Sequence, residues 1–265
     1  MSHDEAVLRA IAADNLRDDF VDERHGLLIV PTSELRSTDR DRMFALLGTC
    51  YGNVSRDQFE SDLSNKQWVL LGSEPQGGRL WMFSTGKQFE LAFNGEPTLA
   101  FYSGDTASAP EKRGGPTAAG IRLVVRKMYH QVVESPDTKC YWFMISSTFK
   151  SYRLLSLLYE DFAPRPGRPL DEEEKLLVAE LSRMQGYSYD PVRSICRLPN
   201  PSVPAEDTEE RGDPGFSDPL AAYFAAMNSG ANRGDRLASL TRLTMTNLNS
   251  VGRKFVMGDF ARQIG

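Results

Sequence analysis

A glycine-rich segment with two basic residues is the part of this sequence best suited to bind an anion. It runs from Lys112 to Thr117 with the letters KRGGPT, and it precedes a stretch whose apolar residues are spaced by three and four. Because proline suits the first position of a helix, a helix is predicted to begin near Pro116. The unpaired amides of a helix start, with the charge of Arg113 beside them, suit a phosphate or pyrophosphate. A plain connector is the alternative interpretation.

Acidic residues near this segment are candidate proton acceptors. The apolar run from Thr98 to Tyr102 predicts a strand, and Ser103-Gly104-Asp105-Thr106 predicts a polar loop after it. Glu90 lies in an earlier predicted strand. Asp105 suits a turn or capping role equally well, and Glu90 suits an exposed strand position.

Composition excludes several classes of function. The chain has 265 residues, 40% of them hydrophobic and 25% charged, as expected for one large globular domain with additions. A net charge of -5 gives no general surface for nucleic acid. No run of about 20 apolar residues is present, and the charged start lacks a signal-peptide pattern, so no membrane span or secretion is expected.

The cysteines and histidines do not form a recognisable metal or nucleophile motif. Three widely spaced cysteines with no CxxC pair indicate reduced thiols and no zinc site, which is typical of a cytoplasmic protein. The three histidines fall in no Ser-His-Asp or Cys-His pattern, so a covalent nucleophile is not expected.

The order of predicted elements divides the chain into four parts. Residues 1–26 form a helical extension, 27–198 the main domain, 199–218 a proline-rich loop or linker, and 219–265 a C-terminal extension packed on the domain. Within the main domain the order is strand, two helices, a three-strand meander, helix, strand and helix. We therefore expect an α+β fold with a mixed, largely antiparallel sheet flanked by helices.

This order, with the residues of two segments, resembles the GNAT superfamily of acyl-CoA-dependent N-acyltransferases over about residues 27–162. In that family a glycine-rich loop after the fourth strand holds the cofactor pyrophosphate, and a tyrosine near the end of the helix after the fifth strand acts as an acid. The matching segments are Lys112–Ala118 and the Leu158-Tyr159-Glu160-Asp161-Phe162 stretch.

The resemblance implies an acyl transfer to an amine with these roles. Tyr159 would protonate the leaving thiolate, and Asp105 or Glu90 would take the proton of the amine. Backbone groups at the end of the fourth strand would stabilise the oxyanion. The cofactor-binding residues would be Tyr102, Ser103, Gly104, Lys112, Arg113, Gly114, Gly115 and Thr117.

The implied co-substrate is acyl-CoA or acetyl-CoA, or phosphopantetheine on an acyl carrier protein, with no metal. The acceptor would be the amine of a small molecule, and a homodimer is left open. Two alternatives also stay open. Pro116 lacks an amide that the loop would use, which favours an inactive GNAT-fold module that binds a ligand or protein. The other alternative is different thioester chemistry in a secondary-metabolite pathway.

Overall fold

The computed structural model describes residues 20–75, 78–199, 201, 203–204 and 218–257. The strands are β1 (Val21–Asp22), β2 (Leu27–Pro31), β3 (Tyr51–Gly52), β4 (Trp68–Ser73), β5 (Leu80–Phe93), β6 (Glu96–Ser108), β7 (Lys139–Ser146), β8 (Ser188–Asp190), β9 (Ile195–Arg197), β10 (Val203–Pro204) and β11 (Asp235–Arg242). The helices are α1 (Ser37–Cys50), α2 (Arg56–Ser64), α3 (Gly115–Glu134), α4 (Phe149–Leu158), α5 (Glu172–Met184), α6 (Pro219–Met227) and α7 (Ser250–Met257).

Nine strands form one sheet in the order β1-β2-β4-β5-β6-β7-β11-β9-β8, while β3 and β10 pair separately. In the described part of the chain β6 and β7 pair in parallel, and the other neighbours pair antiparallel. The main domain has the predicted order of elements, which is β2, two helices, the β4–β6 meander, α3, β7 and α4. The expected mixed, largely antiparallel sheet flanked by helices is therefore confirmed.

Adjacent side chains of β7 pack on opposite faces of the sheet, each in a different hydrophobic core. Trp142 packs in a core that includes residues of α3, and Phe143 packs against Tyr102 in a second core with α5. Successive residues of a strand point to opposite faces, so Trp142 and Tyr102 lie on opposite sides. We refer to these as the α3 face and the α5 face.

Helix α3 forms as its sequence predicts. It begins at Gly115 with Pro116 in its first turn, and Gly114 before it has a positive φ of 110° that favours glycine. Val124, Val125 and Met128 on the predicted apolar face are buried. Burial of this face fixes the helix start beside the end of β6.

Several boundary predictions were wrong. Val21–Asp22 pairs with β2 as a strand, whereas a helix was predicted there; the rest of that predicted helix lies outside the described residues. Ser103–Thr106 continues strand β6, where a loop was predicted, because β5 extends far enough to pair with it. Helix α4 ends at Leu158, so Tyr159 follows the helix.

The C-terminal part contributes to the sheet itself. Strand β11, whose sequence allowed strand or helix, lies between β7 and β9 and pairs with Tyr141–Ser146. Most of the predicted loop at 199–218 lies outside the described residues, but Val203–Pro204 pairs with Tyr51–Gly52. Among the helices that the structure describes, none has the length and apolar character needed to cross a bilayer.

Gly86 should be required for the packing of β5 on β4. A Cβ atom at Gly86 would lie 1.8 Å from the Trp68 ring. A Cβ atom at Gly48, an exposed residue of α1, would have no neighbour within 4 Å. We expect Gly86→Ala to lower the free energy of unfolding by about 1–3 kcal/mol or more, and Gly48→Ala to raise it by up to about 1 kcal/mol. Urea denaturation measures both, and equal stability of the two variants would contradict this packing.

Candidate active site

A split in the sheet creates the candidate site. Strands β6 and β7 pair from Thr98 and Lys139 up to Ser103 and Met144. Beyond that point β6 stays with β5, and β7 stays with β11. Among the residues that the structure describes, none pairs as a strand with the backbone of β6 after Ser103 on the side toward β7. Such groups need a partner from water or a ligand, and an extended chain can supply one.

A β-bulge lies at the mouth of this split. Ser84 pairs with Thr106 and Gly86 with Ser103, so Thr85 faces both Gly104 and Asp105. A Cβ at Gly104 would lie 2.5 Å from Lys66 Cε and 2.5 Å from Thr85 Oγ1. A glycine is therefore needed at position 104 to leave room for the Lys66 side chain. The extra residue of the bulge places Asp105 at the split.

Two carboxyls and a lysine meet at the bulge. Lys66 Nζ pairs with Asp62 Oδ2 at 2.6 Å, and the lysine side chain is fully buried. The same Nζ lies 5.6 Å from the centre of the Tyr102 ring, which places this pair on the α5 face. The Asp105 carboxyl lies within hydrogen-bonding range of the Asp62 carboxyl. A second carboxyl this close disfavours ionisation of Asp105.

The environment of Asp105 favours its protonated form. Burial raises its pKa most, and the negative charge of Asp62 raises it further, to about 6. The positive charges of Lys66 and Arg236 oppose this shift. A carboxyl with a pKa near neutrality can take up and release a proton under physiological conditions, which general base catalysis requires.

Phenol groups surround these charges. Tyr51 donates a hydrogen bond to the Thr106 carbonyl at 3.3 Å, and the hydroxyls of Tyr102 and Tyr187 lie 3.1 Å apart. Burial, followed by the charge of Asp105, raises the pKa of Tyr51 to about 12. Burial also raises the pKa values of Tyr102 and Tyr187. All three phenols therefore stay neutral near pH 7 and can donate hydrogen bonds.

Tyr159 lies on the other side of the sheet. Its ring packs edge-on against Trp142, with centroids 6.1 Å apart, and Trp142 Nε1 donates to Ser103 Oγ at 2.8 Å. The Tyr159 hydroxyl is buried, and burial raises its pKa. Tyr159 and Asp105 are thus on opposite faces, and the split between β6 and β7 is the route by which both could reach one reacting group.

The predicted phosphate loop is positioned as expected but has few donors. Pro116 offers no amide in the first turn of α3. The Thr117 hydroxyl donates to the Lys112 carbonyl at 3.0 Å and lies 2.8 Å from Ser108 Oγ. Lys112 Nζ lies 3.8 Å from Glu74. Arg113 is half-buried and makes no ion pair with any residue that the structure describes, so it is the cation best placed to meet an anion.

The structure does not bring Glu90 together with Asp105. Glu90 is exposed and pairs with Leu99, six positions before Asp105 along β6. At about 3.3 Å per residue the two carboxyls are separated by roughly 20 Å. Glu90 instead lines a shallow surface cavity of about 610 Å³ beside the β5–β6 hairpin and the end of α3.

Sequence reasoning missed five members of the site: Tyr51, Asp62, Lys66, Tyr187 and Arg236. They lie on elements far apart in the chain, and the residue types alone gave little indication. One available signal was Arg236, a charge that directly precedes the apolar pair Leu237-Ala238 of β11. Over the residues described, no group of three or more His, Cys, Asp or Glu side chains could hold a metal ion.

No protein-family model and no curated protein matches this sequence. Solved structures similar to it include a conserved protein of unknown function from Enterococcus faecalis V583, at 18% identity and a TM-score of 0.38, over 51% of this chain and 33% of that one. N-acetylglutamate synthase from Neisseria gonorrhoeae, complexed with coenzyme A and N-acetylglutamate, is 13% identical with a TM-score of 0.37, and the match covers 82% of this chain and 35% of that one. A GNAT family N-acetyltransferase from Escherichia coli in complex with CoA is 14% identical with a TM-score of 0.32, and the match covers 48% of this chain and 66% of that one.

The chain therefore spans about a third of the length of the first two of these proteins. Similarity at these identities and TM-scores gives no information on substrate or activity. The function has to be argued from the arrangement of residues at the split.

Asp105 should reduce stability near neutral pH. Its folded-state pKa of about 6 lies above the usual 3.8, so ionisation destabilises the folded protein as pH rises through the folded value. We expect Asp105→Asn to raise the free energy of unfolding by roughly 1–3 kcal/mol at pH 7.5, with little gain at pH 4.5. Urea denaturation at both pH values measures this. Asp57→Asn, an exposed change on α2, is the control, and a gain independent of pH would contradict the assignment.

Proposed function

We propose that this protein transfers an acyl group from an acyl-CoA thioester to an amine of a small molecule by direct attack. The observation that carries this proposal is Asp105, held at the mouth of the split with a raised pKa. A base beside a backbone cleft that can accept an extended arm suits attack on a thioester. No covalent intermediate is required, because the three cysteines are buried and none lies in the site described.

The donor would be bound by two parts of β6–α3. Arg113, with the amides of Gly115 and Thr117, would hold the pyrophosphate at the start of α3. The backbone of Gly104 would lie along the pantetheine arm, next to Tyr102 and Ser103 at the last positions where β6 pairs with β7. An acyl carrier protein presents the same arm with one phosphate and without the adenosine part, so rates with acyl-CoA and with the acylated carrier protein have to be compared directly to distinguish the two donors.

In the reaction, Asp105 takes the proton of the amine as the nitrogen attacks the thioester carbonyl. Backbone donors at the bulge would stabilise the negative charge that develops on the oxygen. The C–N bond forms, the C–S bond breaks, and Tyr159 donates its proton to the leaving sulfur. Glu90 has no part in this step, because it lies at the far end of β6.

A module that binds CoA or another ligand without chemistry is the second candidate. It is favoured by the loop, where Pro116 removes one donor and Thr117 Oγ1 is engaged within the loop. Binding without turnover over a broad set of amines would support this candidate against the first.

Removal of Arg113 should weaken binding of CoA. We expect Arg113→Ala to raise the Kd for CoA about tenfold or more, since a charge-assisted contact to phosphate is typically worth about 1.5–3 kcal/mol. Isothermal titration calorimetry measures this. Arg183→Ala, which removes an exposed arginine of α5, should leave the Kd unchanged. Equal affinities for wild type and Arg113→Ala would remove the loop from the proposed site.

Removal of the base and the acid should lower the rate but not the affinity for CoA. We expect Asp105→Asn to lower kcat by about 10²–10⁴-fold, and Tyr159→Phe to lower kcat with Kd for CoA retained. In wild type the rate should rise with pH through about 6, as Asp105 loses its proton.

Thiol release from acetyl-CoA with a panel of amines measures these rates, and the buried cysteines keep the background low. Asp57→Asn and Tyr223→Phe are the matched controls. A full rate in Asp105→Asn would rule out Asp105 as the base, and a full rate in Tyr159→Phe would rule out Tyr159 as the acid.

A further inference from the structure

Lys66 places a buried ammonium group in the wall of the candidate site. It lies between the end of α2 at Ser64 and the start of β4 at Trp68. Its side chain is fully buried, which lysine side chains almost never are unless they are paired. Nζ pairs with Asp62 Oδ2 at 2.6 Å and donates to the Asp62 carbonyl at 3.2 Å. Two partners on one residue therefore fix the ammonium group in place.

The path of the Lys66 side chain brings it next to Asp105. Its Nζ lies 5.6 Å from the centre of the Tyr102 ring. A Cβ atom at Gly104 would lie 2.5 Å from Lys66 Cε, so the lysine lies directly against the backbone of the β6 bulge. Gly104 is the residue before Asp105. The ammonium group and Asp105 are therefore neighbours in space, although they are far apart in the chain.

Stability alone gives little reason for an ion pair in this position. Buried charges lose their hydration, and apolar side chains of similar volume often stabilise a fold as well or better. The loss is largest for Lys66, because its side chain is fully buried while that of Asp62 is 28% exposed. The effect of the pair on a neighbouring group is the better explanation for charges here.

The neighbouring group is the carboxyl of Asp105. Burial raises its pKa most, the charge of Asp62 raises it further, and the charge of Lys66 lowers it. The other groups that act on this carboxyl or are acted on by it are one cation and three phenols: Arg236 of β11, Tyr51, Tyr102 and Tyr187. Asp105 therefore experiences opposite influences from the two members of one ion pair.

We propose that Lys66 is a positioning residue of the candidate active site, which acts on Asp105 through Asp62. By holding the Asp62 carboxylate, Lys66 balances the negative charge that would otherwise keep the proton on Asp105. Asp105 can then lose this proton near neutral pH and accept the proton of the amine. In this role Lys66 does not touch the substrate. The part that Lys66 plays in the reaction rests on the proposed acyl transfer, but its effect on the Asp105 proton does not.

Three variants separate the two charges. Lys66→Met leaves Asp62 unbalanced beside Asp105 and should raise the pKa of Asp105 by about one pH unit. Asp62→Asn leaves the ammonium group alone and should lower this pKa by a similar amount. Lys66→Met combined with Asp62→Asn removes both charges and should bring the pKa back toward the wild-type value. A merely structural role for Lys66 does not predict changes of opposite sign.

The proton on Asp105 can be followed without any turnover. Carbon-13 NMR of the aspartate carboxyls, with the Asp105 signal assigned by its loss in Asp105→Asn, gives the pKa in each variant. Asp57→Asn, an exposed change on α2, is the control and should leave the pKa at its wild-type value of about 6. Equal pKa values in wild type, Lys66→Met and Asp62→Asn would overturn the inference, and so would changes of the same sign.

The double variant keeps the test decisive if Lys66→Met does not fold. Asp62→Asn and the double variant differ only in the charge of Lys66, so the pKa of Asp105 should be lower in Asp62→Asn. Equal values in these two variants would also overturn the inference.

The pH dependence of the rate separates this inference from the proposed function. The rise of kcat/KM with pH should move to higher pH in Lys66→Met and to lower pH in Asp62→Asn, while the Kd for CoA is retained. Opposite changes in the pKa of Asp105 without acyl transfer to any amine would support the role of Lys66 and reject the proposed function. Acyl transfer with the same pH profile in wild type and both variants would overturn the inference and leave the transfer intact.

Discussion

The loss of pairing between β6 and β7 after Ser103 is the constraint on which the site depends. Both strands continue, but each keeps only its outer neighbour, β5 on one side and β11 on the other. Backbone groups inside a protein are costly when unpaired, so a cleft of this kind needs water or a ligand to complete it. The end of β7 pairs instead with β11, whose second residue is Arg236.

The two faces of the sheet differ in charge at this opening. On the α3 face Trp142, Tyr129 and Tyr159 lie in one buried core, where the Tyr129 hydroxyl donates to the Thr244 carbonyl and Trp142 Nε1 donates to Ser103 Oγ. On the α5 face a lysine, an arginine and two aspartates are gathered among phenols. Charges buried in this way are tolerated only with partners, and the Lys66–Asp62 pair supplies one such arrangement. The split lies between these two environments, with Asp105 on one face of the sheet and Tyr159 on the other.

This arrangement has an energetic consequence. A carboxyl whose pKa is raised by burial and by a second carboxyl is destabilising when it is ionised, so Asp105 is held in place by the rest of the fold. Gly104 contributes to this, because only glycine lets Lys66 lie against the bulge. The meander core therefore supports the cost of ionising Asp105 in this position.

The sequence by itself determined the local elements and the candidate residues within one segment. The glycine at 114, Pro116 and the apolar face predicted the start of α3, and the order of strands predicted the mixed sheet, because turn chemistry and hydrophobic periodicity act over a few residues. Asp105 and Tyr159 were selected as candidates, but their placement on opposite faces was not predictable. The sequence around Asp105 predicts a loop where the structure has a strand, since a bulge depends on the register with β5. Only the tertiary structure decided that Asp62, Lys66 and Arg236 meet Asp105, because strand order and pairing, and not spacing along the chain, bring distant charges together.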